Sequence, residues 1–101
     1  MSVICTQDNR TLTAALSGEL DHHAAKIIMT ELERQIDAAR PRALILDLAG
    51  LTFTDSSGIA VLLRVWRYMG QAGGTMKVLH TPRQADKVFR AAGLQRLISF
   101  E

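Results

Sequence analysis

The feature that most constrains this sequence is an almost continuous apolar run near its middle, from Ala43 to Leu48, with Asp47 as its one polar member. Such a run is typical of a buried strand. A strand that is apolar on both faces is either covered on both faces or lies centrally in a sheet. Gly50 is interpreted as opening a loop that reaches Thr54. The sequence therefore predicts a sheet arranged around this strand.

Three segments with helical spacing lie between the strand-like segments. Asp21 is a candidate N-cap for an amphipathic helix of about 17 residues. The second helix, residues 57–70, is more apolar and should be more buried. The third begins at a Thr-Pro-Arg-Gln run, where Thr81 is expected to cap and Gln84 to complete a capping box. Gly93 is its expected end.

Period-2 alternation and turn residues predict the strands. The order is β-β-α-β-α-β-α-β, which indicates an α/β fold with a mixed, mostly parallel sheet flanked by helices. The length of 101 residues fits a single domain, residues 1–101. Apart from the central run, the predicted strands are 3–8, 11–17 (ended by Gly18), 75–80 and 97–100.

Composition excludes several classes of protein. The chain is 48% hydrophobic and 22% charged, which is typical of a globular domain. Its net charge is 12 − 10 = +2, too small to indicate nucleic-acid binding. No apolar run approaches the roughly 20 residues of a membrane span, and no signal peptide is visible. Cys5 is the single cysteine, so we expect no disulfide and a cytoplasmic location.

The segment most suited to chemistry is residues 52–58, Thr-Phe-Thr-Asp-Ser-Ser-Gly, which joins the buried strand to the most apolar helix. Open α/β sheets place their sites after the carboxyl ends of strands. Ser56 falls at the N-cap of that helix. One interpretation is that Ser56 only caps the helix. The other is that its hydroxyl accepts a phosphate, which helix amides would hold and the Asp55 carboxylate would oppose.

Other chemistries have little support. A serine hydrolase would require a Gly-x-Ser-x-Gly elbow, and residues 55–58 do not match it. The adjacent His22 and His23 invite a metal site, but neighbours on a helix point about 100° apart. We therefore expect no metal, and a polar rim for a partner protein remains the functional alternative. No phosphate-binding glycine loop occurs, and no aromatic residues alternate with the basic ones.

Residues 18–23 (Gly-Glu-Leu-Asp-His-His), 46–48 (Leu-Asp-Leu) and 51–58 resemble the STAS-domain anti-sigma factor antagonists. The first run is characteristic of the sporulation branch of anti-anti-sigma factors, and the Phe-x-Asp-Ser-Ser-Gly run is characteristic of the wider family. Gly73-Gly74 and residues 92–94 also match. The resemblance covers nearly the whole chain and implies the STAS fold.

The resemblance implies a regulatory protein without catalysis, cofactor or metal. The unphosphorylated form would bind an anti-sigma factor that is also a serine kinase, and so release the sigma factor. The kinase would phosphorylate Ser56 and end the binding, and a PP2C-like phosphatase would restore it. The residues expected to contact partners are Asp21, His22, His23, Thr54, Asp55, Ser56, Ser57 and Gly58.

One departure from the family pattern concerns the end of the chain. Members usually continue past the last strand with a C-terminal helix, and this sequence stops at Glu101. We therefore expect that helix to be missing here. The alternative function is a STAS subunit of another regulatory or sensory assembly, including a sigma pathway outside sporulation. The sequence leaves the oligomeric state open, with a homodimer among the options.

Overall fold

The computed structural model describes all residues, Met1–Glu101, and confirms the predicted order of strands and helices. A short 3₁₀ turn before the last strand is the one additional element. The elements are β1 (Ser2–Asp8), β2 (Thr11–Leu20), α1 (His22–Ala39), β3 (Ala43–Thr54), α2 (Ser57–Gln71), β4 (Thr75–Leu79), α3 (Arg83–Ala91), the 3₁₀ turn (Leu94–Arg96) and β5 (Ser99–Phe100).

The five strands form one mixed sheet in the order β1-β2-β3-β4-β5. β1 and β2 are an antiparallel hairpin, and every later neighbour is parallel. Each helix connects one strand to its next neighbour. Because such crossovers share one hand, successive helices return along the same face of the sheet. The mixed, mostly parallel sheet predicted from the sequence is confirmed, with β3 in its centre.

The core lies between the sheet and the helices. Alternate residues of β3, namely Leu44, Leu46 and Leu48, are fully buried, whereas Ile45 and Asp47 are only partly covered. All 23 buried apolar residues belong to one continuous cluster. Helices pack against only one face of β3. The apolar residues on its other face are therefore explained by the central position of the strand in the sheet.

The first helix follows its sequence signals closely. Asp21 caps α1, since its Oδ1 accepts a hydrogen bond from the Ala24 amide at 2.9 Å. Arg40 ends the helix in the left-handed conformation, with φ of 48°. Across to α2, Glu33 accepts a hydrogen bond from Arg64 at 2.7 Å.

Two glycines were wrongly interpreted as strand ends. β2 does not end at Gly18 but continues to Leu20, and β3 does not open into a loop at Gly50 but continues to Thr54. Gly18 has φ of +102°, and the pairing of β2 with β3 shifts register beside it. Irregular pairing of this kind lets both strands continue past the glycines, because their backbone groups still find partners.

The expected capping box at the third helix is also wrong. Pro82 occupies the N-cap position of α3 without a side-chain cap, and the Thr81 Oγ1 atom is buried without a hydrogen-bond partner. Gln84 bonds elsewhere, as described below. Gly93 does mark the end of the helical segment, with φ of 79°. The 3₁₀ turn that follows shortens the last strand to Ser99–Phe100.

None of the three helices combines the length and the apolar content that a membrane crossing requires.

The one-sided core predicts different costs for two adjacent substitutions in β3. Leu46→Ala should lower the free energy of unfolding by about 3 kcal/mol, because it opens a cavity in the buried layer. Ile45→Ala, on the less covered face, should cost about 1 kcal/mol. Urea denaturation of both variants measures the difference, and equal losses would contradict a core confined to one face.

Candidate functional site

The candidate site lies where β2 and β3 end and α1 and α2 begin. Leu20 and Thr54, the last residues of the two strands, are register partners in the parallel pair. Asp21 and Asp55 come next along their strands, so the two carboxylates stand at the same edge of the sheet. His22 is near enough for its charge to influence the Asp55 carboxylate. The structure thus brings together the ends of the two predicted segments, residues 18–23 and residues 51–58.

Thr54 anchors this edge from inside. Its side chain is fully buried, and its Oγ1 lies 3.2 Å from the Leu20 carbonyl oxygen and 3.0 Å from that of Asp55. The Thr54 amide donates to Gln84 Oε1 at 3.0 Å, and Gln84 Nε2 donates to the Thr54 carbonyl at 2.7 Å. This two-bond clamp from α3 fixes the backbone immediately before the serines.

Gly58 must lack a side chain in this arrangement. A Cβ atom there would lie 2.1 Å from Thr54 Oγ1 and 3.3 Å from Phe89 Cε1. The first separation is far below any van der Waals contact, and Thr54 cannot give way without losing its own hydrogen bonds. The first turn of α2 therefore packs directly onto the end of β3, which sets where Ser56 emerges.

Asp55, rather than Ser56, caps α2. Asp55 Oδ1 accepts a hydrogen bond from the Ser57 amide at 2.7 Å. This bond, followed by one from the Ser57 hydroxyl, holds the pKa of Asp55 below its ordinary value, and His22 adds to the effect. Ser56 occupies the N-cap position, as expected, but with helical backbone angles and no capping hydrogen bond from its side chain. The interpretation of Ser56 as a capping side chain is wrong.

The two serines consequently differ. Ser56 is exposed, and its side chain makes no capping hydrogen bond, whereas Ser57 is partly covered and its backbone amide donates to the Asp55 carboxylate. No histidine side chain bonds to Ser56; His80, whose Nδ1 lies 3.0 Å from Asp47 Oδ1, belongs to another part of the sheet. The arrangement presents a free hydroxyl to an approaching molecule.

His22 and His23 lie in the first turn of α1, and both are exposed. No group of three or more His, Cys, Asp or Glu side chains converges anywhere in the chain. The two rings therefore extend the polar rim that runs from Asp21 to Asp55. We refer below to residues 21–23 and 55–57 as the serine rim.

The serine rim is not concave. None of the five surface cavities is lined by any residue of the segment 54–58. The cavity lined by Arg10, Arg40 and Arg42, of about 590 Å³, includes no residue of the rim. Small-molecule sites are usually concave, and the rim does not have that shape.

Sequence reasoning missed the contact that one residue of this region makes and the exposure of another. Gln84 was assigned to a local cap, and no local signal could reveal a contact with a residue 30 positions earlier. Phe53, beside the buried Thr54, is exposed and adds apolar surface next to the rim. It could have been found from the alternation along β3, had the strand been extended past Gly50.

Comparison with known proteins agrees with this geometry. The family description "STAS domain" matches residues 2–101. The chain belongs to the STAS-domain family. It is 31% identical over 87 residues to the anti-sigma F factor antagonist of Paenibacillus polymyxa, covering 86% of this chain and 74% of that protein.

Two solved structures of this STAS family are also similar. Unphosphorylated SpoIIAA, an anti-sigma factor antagonist, superposes with a TM-score of 0.83 at 28% identity, covering 99% of this chain and 88% of that one. The phosphorylated form of SpoIIAA, described as a Bacillus cell fate determinant, gives 0.75 at 28% identity, covering 99% and 91%. The STAS fold expected from the sequence is confirmed.

Two glycines of the same helix test the packing beneath the rim. Gly58→Ala should destabilise the domain by about 3 kcal/mol, because the new methyl group overlaps the buried Thr54 hydroxyl. Gly70→Ala is the matched control, since no atom lies within 4 Å of its added Cβ. That variant should gain roughly 0.5 kcal/mol from helix propensity. Thermal unfolding compares them, and a harmless Gly58→Ala would contradict the packing described.

The cap at Asp55 predicts a pH dependence. Because the folded pKa is lowered, ionised Asp55 contributes stability above its ordinary value of 3.8, and this contribution is lost as pH falls through the lowered folded value. Asp55→Ala should therefore be less stable than the original chain at neutral pH, with the gap closing in acid. Urea midpoints measured across the acid range would show this, and a gap independent of pH would argue against it.

Proposed function

We propose that this protein is an anti-sigma factor antagonist switched by phosphorylation of Ser56. Its unphosphorylated form binds an anti-sigma factor that is also a serine kinase, and this binding releases the sigma factor. Phosphorylation ends the binding, and a PP2C-like phosphatase reverses it. The observation that carries the proposal is the exposed, unbonded Ser56 hydroxyl at the start of α2. Kinship with anti-sigma factor antagonists supports it.

The electrostatics of the site suit a reversible switch. A phosphoserine carries about −1.5 to −2 charges at neutral pH. At Ser56 it would stand beside the Asp55 carboxylate, with Asp21 on the neighbouring strand end. The positive end of the α2 dipole offsets part of this repulsion. The remaining negative charge faces outward, where a partner surface matched to the neutral hydroxyl would meet it.

The fold tolerates this modification because Ser56 makes none of the contacts that hold the edge together. Thr54, Gly58 and Gln84 form the buried support, and Asp55 provides the cap. Phosphorylation therefore changes the surface and leaves the packing beneath it intact. A phosphorylation switch in a small domain requires this arrangement, in which the modified residue is not one of the residues that stabilise the fold.

The predicted contact residues take two roles in the proposal. Asp21, His22, His23 and the segment 55–57 form the surface that the partner touches, since all are at least partly exposed. Thr54 and Gly58 are buried and act by positioning the serines. A kinase that uses ATP places the proposed cycle in the cytoplasm.

Incubation with the anti-sigma factor kinase and ATP tests the acceptor. Mass spectrometry should find one phosphate, on Ser56, because its hydroxyl is exposed and free. Ser56→Ala should receive none, and the matched control Ser57→Ala should still be phosphorylated. Modification at Ser57 of the unaltered protein would contradict the assignment.

The same proteins test the switch itself. Ser56→Ala should bind the kinase in the presence of ADP about as tightly as the original chain does. Ser56→Asp should bind on the order of tenfold more weakly or worse, which corresponds to about 1.4 kcal/mol. Isothermal titration calorimetry gives both values. Equal binding by the two variants would favour the alternative, a STAS subunit of a different regulatory assembly.

A further inference from the structure

The outer edge of β1 is free. β1 pairs with β2 along its full length, from Ser2 opposite Ser17 to Asp8 opposite Thr11, and no strand covers its other side. The strand has no lysine, arginine, proline or register shift, and its single charged residue is Asp8 at its end. Natural proteins usually protect edge strands with such features, because an unprotected edge recruits other strands. This edge carries none of these protections.

Exposed apolar side chains flank the same edge on both faces of the sheet. Ile4 is 67% exposed and lies opposite Ala15 on the face away from the helices. On the helix face, Met1 and Ile27 are 41% and 62% exposed and share a groove of about 480 Å³ with Val3, a groove that Lys26 and Glu31 of α1 also line. Of the five exposed large apolar residues of the chain, Ile4 lies in β1, Met1 directly precedes it, and Ile27 of α1 lines the groove beside it. A clustered apolar border of this kind indicates an interaction surface.

We infer that the free edge of β1 pairs with the β1 edge of a second copy, antiparallel and centred on Ile4. This register sets Ile4 opposite Ile4 of the other copy, Val3 opposite Cys5, and Ser2 opposite Thr6. Within the paired strands, apolar side chains then meet apolar ones on both faces, and no charged side chain of one strand faces one of the other. Asp8 lies beyond the paired residues.

The sequence of β1 favours a second copy as the occupant. A two-fold dimer requires a self-complementary strand. Centring on Ile4 satisfies this, whereas centring on Cys5 would set Val3 opposite Gln7 and Ile4 opposite Thr6. A seven-residue edge with one groove is a small interface, so association should be weak and depend on concentration. β2 lies between this edge and β3, so the inference is independent of the function proposed for Ser56.

Sedimentation velocity over about 10 μM to 1 mM, a range suited to weak association, tests the dimer. The unaltered chain should shift from monomer to dimer as concentration rises. Ile4→Lys, which places two like charges opposite each other, should stay monomeric with an unchanged circular dichroism spectrum. Leu97→Lys is the control. Leu97 is comparably exposed, but it lies just before β5, which forms the opposite edge of the sheet from β1. A chain that remains monomeric at the highest concentration overturns the inference.

Cysteine cross-linking tests the register. In a Cys5→Ser background, Ile4→Cys should form a disulfide dimer on mild oxidation, since directly opposed Cα atoms lie about 4.5–5.5 Å apart. Thr6→Cys in the same background is the matched control. In the proposed register, position 6 of one copy lies opposite position 2 of the other. The two introduced cysteines are therefore four positions apart, about 13 Å along the strand. The Ile4→Cys yield should be at least roughly fivefold higher by this geometry, and equal yields would overturn the register.

Discussion

The hydroxyl and backbone of Thr54 hold together the edge on which the proposed function depends. The side chain is buried between the ends of β2 and β3, and the backbone is clamped by Gln84 from α3. Gly58 packs against the same hydroxyl from α2. One residue therefore connects two strand ends with two helices. Its burial leaves little freedom for the segment that follows, so the position of Ser56 is set by the core.

This constraint also separates the tasks of neighbouring residues. Because the end of β3 is fixed, Asp55 reaches the Ser57 amide and caps α2. Ser56 is then relieved of the capping role that its position would normally give it. Its side chain takes no part in the cap or the core, so the phosphorylation proposed for it would leave both intact. A helix capped by Ser56 itself would lose its cap on phosphorylation, which would tie the switch to stability.

The order of elements, the central strand and the cap at Asp21 could be predicted because each has a local cause in hydrophobic period or side-chain chemistry. Most of the errors have a different cause, which is contact between segments far apart in the sequence. Gly18 and Gly50 looked like strand ends, yet pairing between β2 and β3 carries both strands onward. Gln84 looked like a capping residue, yet its partner lies 30 residues earlier. Ser56 was assigned as a cap from its position, yet its side chain makes no capping bond, and Asp55 accepts a hydrogen bond from the first amide of α2. Contacts between distant segments decided the cases of the two glycines and of Gln84, whereas the contact of Asp55 with Ser57 is local.

We propose that the serine rim, held from beneath by Thr54, is the surface that meets the anti-sigma factor. Amide chemical shifts of the ¹⁵N-labelled, unphosphorylated protein, followed as that partner is added, test it most directly. The largest changes should fall on residues 21–24 and 55–59, and β5 and the cavity lined by Arg10, Arg40 and Arg42 should be unaffected. Changes concentrated on that cavity or on β5, with the rim unmoved, would contradict it.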